Sequence, residues 1–453
     1  MRCNSLVQLS FNLFFMPLLL KKRSFRDFFL TFLLGFFSIY LFLGNFTRLI
    51  RTELFDNNLS LSEILLYLIC FCAYPYTSKL KSKNFSLLLL SLSILASNLW
   101  GIMLHGFDLK SFIYSIRLIA MIFSATVLGK IAFLRYGNDL ISFFHFFLKT
   151  YAMTTLLGFL IFFTFISSEG LWVFLKKFHI VFWGDPHIKR FVSPYFDPNF
   201  YSAIACIPLL QSLLLRQYTK KNNYYFLSFF FLLSILLSWS RSGIATLAFL
   251  SCCILFSFLK SSQFFKIYPS HFGYTIFSLG LLMLLPFFFM DQISFFLDRF
   301  LHMNSDDSAL GRLFSFQLGW DLFREHPLFG VGYNYLSIFS TQYSSVDSSL
   351  LSTLVYFGLI PFLTAFLLFF FWSYNHFHAI NAIKKENPFL HRSFRLFYCY
   401  LCIIVFFSCH FNNLLYYQFW LIPMISIFSY FSQSIQSLTS LRNCPRRNTL
   451  NEV

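Results

Sequence analysis

Long apolar runs fill most of this chain, with short polar intervals between them. Windows of roughly 16 to 24 residues, each close to the length that crosses a hydrocarbon core of about 30 Å, recur about twelve times. They run Phe28–Phe46, Leu61–Tyr76, Phe85–Leu104, Ser111–Phe133, Thr150–Ile166, Phe200–Leu215, Tyr224–Trp239, Gly243–Leu259, Phe272–Met290, Leu350–Trp372, Leu396–Phe411 and Leu414–Phe431. Open strands cannot satisfy their backbone groups in lipid, so each window predicts a helix. The expected fold is all-α, a polytopic membrane helical bundle of about twelve transmembrane helices forming a single domain. Two polar intervals, 167–199 and 291–348, are too long for turns and predict larger loops. Ahead of the first window, a run broken by Gln8, Ser10, Asn12 and Pro17 ends in Lys21, Lys22, Arg23 and Arg26. Lacking a small-residue cleavage site, it reads as a membrane-surface segment.

Composition strengthens this picture. Apolar residues make up 57% of the chain, and a mean hydropathy of +0.65 lies outside the range of soluble domains. The net charge of +17 raises the question of nucleic acid. The basic residues are scattered singly between apolar runs, as cytoplasmic anchors are, and predict no nucleic-acid partner. With the amino terminus in the cytoplasm, inner segments collect most of the 35 basic residues and outer segments most of the 18 acidic ones. That asymmetry places both termini inside and both large loops outside, away from ATP. No Walker A loop, dinucleotide fingerprint or paired Cys/His spacing occurs, and most of the ten cysteines lie within apolar runs as small hydrophobes. The sequence therefore predicts neither cofactor nor metal.

Candidate chemistry gathers at the outer segments. Arg241 sits in Ser240-Arg241-Ser242-Gly243 between two windows and reads either as an interfacial anchor or as a phosphate clamp, since Ser and Gly let backbone donors approach the same ligand. Arg117, inside the fourth window, reads equally as the partner of a buried carboxylate or as a substrate contact. Lys189 and Arg190 precede Asp197-Pro198-Asn199, where Asp197 is a natural helix cap and nearby aromatic residues suit sugar rings. In the larger loop, Arg312 to Arg324 has Phe316, Trp320 and Phe323 at helical spacing, a stripe expected to pack on the bundle. Arg312 and Arg324 are surplus to that role, whereas His326 before Pro327 reads first as a helix end, and Gly330-Val331-Gly332 as a tight turn. Asp347 begins the tenth window either as its N-cap or as a general base beside the arginines.

Taken in order, Arg190 with Asp197-Pro198-Asn199, Ser240-Arg241-Ser242-Gly243, Arg312 with Trp320, His326-Pro327, Gly330-Val331-Gly332 and Asp347 to Gly358 resemble the O-antigen polymerase and O-antigen ligase superfamily of bacterial inner-membrane glycan transferases. Ligases of this superfamily resemble His-Asn-Ser-Tyr-Leu followed by Gly, and here Asp347 stands at the histidine's place, which favours polymerase over ligase. The resemblance implies a metal-independent glycosyltransferase at the periplasmic face. It would use a polyprenyl pyrophosphate-linked glycan donor and a lipid-linked acceptor, in the company of a flippase and a chain-length regulator. It also implies Arg190, Arg241 and Arg312 as cations at the pyrophosphate, Arg324 as a weaker one, Asp347 as base and His326 in reserve. A lipid-linked oligosaccharide flippase is the alternative from another class, but it predicts repeated halves and mid-membrane polarity, whereas this chain concentrates polarity in outer loops.

Overall fold

The computed structural model describes residues 25–49, 60–77, 80, 85–165, 173, 190–259, 307–335, 346–410 and 412–443. The amino-terminal segment, the expected window Phe272–Met290 and Lys189 lie outside the described residues. The described elements are helices, without a strand among them. In chain order they are α1 (Phe25–Leu43), α2 (Leu61–Thr77), α3 (Phe85–His105), α4 (Leu109–Tyr136), α5 (Leu140–Phe165), α6 (Pro198–Thr219) and α7 (Asn223–Leu237). There follow α8 (Arg241–Leu259), α9 (Asp307–Glu325), α10 (Ser349–Phe357), α11 (Leu359–Ala382), α12 (Pro388–Phe406) and α13 (Gln418–Asn443), with short 3-10 turns at Gly44–Leu49, Ser193–Tyr195, Ser408–His410 and Leu414–Tyr416.

Among the described residues seven helices are long and apolar enough to cross a membrane, and α2, α7 and the first part of α8 are shorter apolar helices. The protein is a helical membrane bundle. Burial separates its centre from its edge: 83% of the apolar window of α6 is buried, against 11% of that of α11. Polar side chains tie the centre together, since Tyr201 of α6 donates to Ser234 of α7 at 2.7 Å and lies 3.0 Å from Thr155 of α5. Between α4 and α13 the packing relies on small residues. A Cβ on Gly129 would lie 2.3 Å from the Ser426 carbonyl oxygen, while Ser426 and Ser429 donate to the carbonyls of Ala125 and Thr126. Such close approach is how helices associate where lipid tails are as apolar as leucine.

Several boundaries differ from those expected. α5 begins at Leu140 rather than Thr150, because Asp139 accepts from the Ser142 backbone and hydroxyl and caps the helix earlier. α12 begins at Pro388, capped by Asn387, rather than at Leu396. The tenth window is two helices. The chain breaks at Gly358, with φ 73 and ψ −176, between α10 and α11, a backbone region open essentially to glycine alone.

Candidate active site

Three helix N-termini are linked by side chains at one end of the bundle. At α6, Asp197 accepts from the backbone N–H of Asn199 and Phe200, as its Asp-Pro-Asn setting predicts. The Asn199 side-chain oxygen then accepts from the Ser240 hydroxyl at 2.8 Å and from Arg190 Nη2 at 3.3 Å. Arg190 is buried against the end of α7, where its Nε donates to the Ser238 carbonyl at 3.0 Å. Trp239 takes a left-handed φ of 48 between α7 and α8, and the Ser240 hydroxyl accepts from the Gly243 N–H, so the SRSG segment forms the start of α8. α8 reaches α6 only because residue 243 is glycine, since a Cβ there would lie 2.1 Å from the Ser202 hydroxyl.

The third N-terminus joins through a residue that sequence reasoning missed. Asn412, buried between α12 and α13, donates its side-chain amide to the Ser242 hydroxyl at 2.9 Å, and its carbonyl accepts from the Ser349 hydroxyl at 2.8 Å. One chain of contacts thus runs Arg190, Asn199, Ser240, Ser242, Asn412 and Ser349. Its only sequence signal is a pair of asparagines in the turn between the last two apolar windows. Helix N-termini carry positive partial charge, so α8 and α10, together with Arg190 and Arg241, make this end of the bundle suited to an anion, while the Asp197 carboxylate already caps α6.

Asp347 lies just before α10 and does not take the first of its two readings, the N-cap. Ser348 caps α10 by accepting from the Leu351 N–H at 3.3 Å, while the Asp347 backbone N–H donates to Ser315 of α9 at 3.4 Å. The Asp347 side chain is exposed, yet surrounding protein atoms desolvate it and raise its carboxyl above the ordinary value. Arg312 opposes that rise and Asp197 adds to it. Arg312 of α9 and Asp197 at the start of α6 therefore both act electrostatically on Asp347 beside α10. A carboxylate raised in this way is a stronger base.

Arg117 has the first of its two readings. Its guanidinium meets Glu63 of α2 at 2.6 and 3.0 Å and donates to Gln418 of α13 at 2.8 Å, while Tyr67 also donates to Glu63. This fork ties α2, α4 and α13 together. Arg48, which sequence reasoning passed over, ends the turn after α1 and interacts electrostatically with Tyr417, Glu63 and Arg117.

The helix in the larger loop follows the expected stripe only at Phe323, which packs on the core. Phe316 and Trp320 are exposed, whereas Ser315, Gly319 and Leu322 face α10 and its approach. Small side chains decide this, because a Cβ on Gly319 would already lie 2.9 Å from Val346. Arg324 lies over the Trp320 ring at 5.6 Å, one helical turn away. His326 follows the last residue of α9, its N–H donating to the Leu322 carbonyl and its ring set edge-on to His105. Beyond it, Val331 and Gly332 donate backbone N–H groups to the carbonyls of Val355 and Tyr356, and Leu359 and Ile360 donate to those of Pro327 and Leu328. Ser97 of α3 donates to the carbonyls of Phe329 and Tyr356. A Cβ on Gly330 would lie 2.4 Å from the Val355 oxygen, and one on Gly358 2.4 Å from the Leu328 backbone. The Pro-Leu-Phe-Gly-Val-Gly turn is a backbone clamp on the break between α10 and α11.

Among the described residues no group of His, Cys, Asp and Glu is arranged to hold a metal. The fold and this end of the bundle define a multi-pass membrane protein with a cation-bearing polar site built on helix N-termini. Residues 226–370, from within α7 to within α11, match the family model described as O-antigen ligase. That segment includes Arg241, Arg312 and Asp347, and excludes Arg190, Asp197, Asn199 and Asn412. No curated protein matches the chain.

Proposed function

We propose that this chain polymerises lipid-linked oligosaccharide repeat units for O-antigen or a related surface polysaccharide, at the periplasmic face of a bacterial inner membrane. Both termini lie in the cytoplasm, so that the site at the start of α6, α8 and α10 opens outwards. The observation that carries the reading is the linkage of those three N-termini with Arg190, Arg241, Arg312 and Asp347 at one end of the bundle.

In this reading the pyrophosphate of a polyprenyl-linked donor rests against the N-termini, with Arg190, Arg241 and Arg312 opposing its charge. Asp347 accepts the proton of an acceptor sugar hydroxyl, whose oxygen attacks the donor's anomeric carbon. The bond from that carbon to the pyrophosphate oxygen breaks, and the lipid pyrophosphate leaves against the arginines. Pyrophosphate is already a good leaving group, so fixed cations and one base are sufficient without metal or nucleotide. Lys189, Arg324, His326 and Asp197 contribute at the margins, through glycan contact or capping, and a flippase and a chain-length regulator work alongside.

The match to a family described as O-antigen ligase favours a second reading, ligation of finished glycan to a lipid A core or a protein. Deleting the protein and resolving surface polysaccharide on a gel separates the two. Polymerase activity predicts loss of the long ladder with a single repeat unit still attached. Loss of every attached unit, with lipid-linked chains accumulating, supports the ligase. Accumulation of untranslocated single units sinks both in favour of a flippase.

A further inference from the structure

At the opposite end of the bundle from the candidate site lies a recess of about 330 Å³ between the start of α5 and the turn joining α6 to α7. Its rim carries Lys149, Lys221 and His145, and its floor carries Leu148 and Leu227. His145 Nε2 is hydrogen-bonded to the Tyr224 hydroxyl, which fixes both rings at the wall, and α7 begins at Asn223 on the same rim. Asp139 acts on His145 but is committed to Ser142 as the cap of α5.

The recess continues into an apolar track. His145, Lys149, Ala152, Leu156, Leu160 and Phe163 follow one another at three- and four-residue spacing and so share one face of α5. Leu156, Leu160 and Phe163 are 57%, 61% and 61% exposed. At 1.5 Å per residue, Lys149 to Leu160 spans about 16 Å, close to half of a hydrocarbon core of about 30 Å. Two lysines and a helix start at one end of the bundle, above an acyl-length apolar stripe, match a phosphate headgroup with its tails running into one leaflet.

We propose that this recess binds an anionic phospholipid of the phosphatidylglycerol class, with its phosphate between Lys149 and Lys221 and an acyl chain along Leu156 and Leu160. The site is independent of the glycan chemistry at the other end. Purified full-length protein in detergent tests it, by the unfolding midpoint and by bound lipid counted in native mass spectrometry. Phosphatidylglycerol should raise the midpoint by several degrees, with one tightly held lipid, while phosphatidylcholine or inorganic phosphate leaves it unchanged. Lys149→Gln with Lys221→Gln should keep the lipid-free midpoint and lose both the shift and the bound lipid, and Lys149→Arg with Lys221→Arg should retain both. An equal shift with phosphatidylcholine, an equal shift with inorganic phosphate, or a full phosphatidylglycerol shift in the glutamine variant overturns the proposal.

Discussion

Two glycine-bearing segments beside helix ends do different work. Ser240 to Gly243 and Leu328 to Gly332 each join a helix to a polar turn, and each belongs to the family-matched stretch. In the first, glycine lets α8 approach α6, and the hydroxyls of Ser240 and Ser242 are spent on Asn199 and Asn412, which aligns helix N-termini with Arg241 between them. In the second, the backbone N–H groups of Val331 and Gly332 are consumed by the carbonyls of Val355 and Tyr356. Glycine can signal a place where a ligand comes close or a place where another backbone does, and only the partners distinguish the two.

The largest effect that sharpens this contrast is expected in the clamp. Gly358→Ala puts a Cβ into the Leu328 backbone at a positive φ, a combination worth ~3 kcal/mol or more. Folded protein in the membrane should fall steeply, measured by yield and unfolding midpoint. A wild-type midpoint would show the clamp to be dispensable. At the site the opposite pattern is expected. Arg241→Ala should leave protein levels normal and lower chain extension by ~100-fold, the scale of removing a preorganised donor at a developing charge. Arg241→Lys should restore only part, because a planar fork becomes a point charge.

Asn412→Ala should have an intermediate effect. It removes the amide that holds Ser242, a net ~1 kcal/mol, so extension should slow by about fivefold with the helices intact. The same loss of yield as in Gly358→Ala would make Asn412 a second structural clamp.

The smallest effect is a shift in pH dependence. In the proposed mechanism Asp347 acts as a base only when ionised, and its raised carboxyl should move the acid limb of activity above the ordinary carboxylate value, with activity rising as pH rises. Asp197→Asn preserves a good cap but removes a charge that raises Asp347, so the limb should move to lower pH. Arg312→Gln should move it the other way in the activity that remains. Unmoved limbs in both variants would separate Asp347 from the rate-limiting chemistry.

Much of the bundle was legible in the sequence because lipid forces apolar runs into helices, and Asp197 declared itself as a cap through its local setting. The break at Gly358 was hidden because apolar residues continue through it, and its cause, the Leu328 backbone, lies far back in the chain. The packing face of α9 was partly misread for a related reason: bulky Phe316 and Trp320 outweighed Ser315 and Gly319, whose smallness is what α10 requires. Asp347 was marked as a possible base from its surroundings, whereas its release from capping depends on Ser348, and Asn412 became visible only when α12, α8 and α10 were brought together.

The central claim is that Asp347 serves as base at a site assembled from three helix N-termini. Its most direct test is single-turnover extension by purified Asp347→Asn protein supplied with a lipid-linked repeat unit as donor and acceptor. The account predicts that donor still binds and that no extended product forms at any pH tested. Extension at the wild-type rate would remove Asp347 from the chemistry.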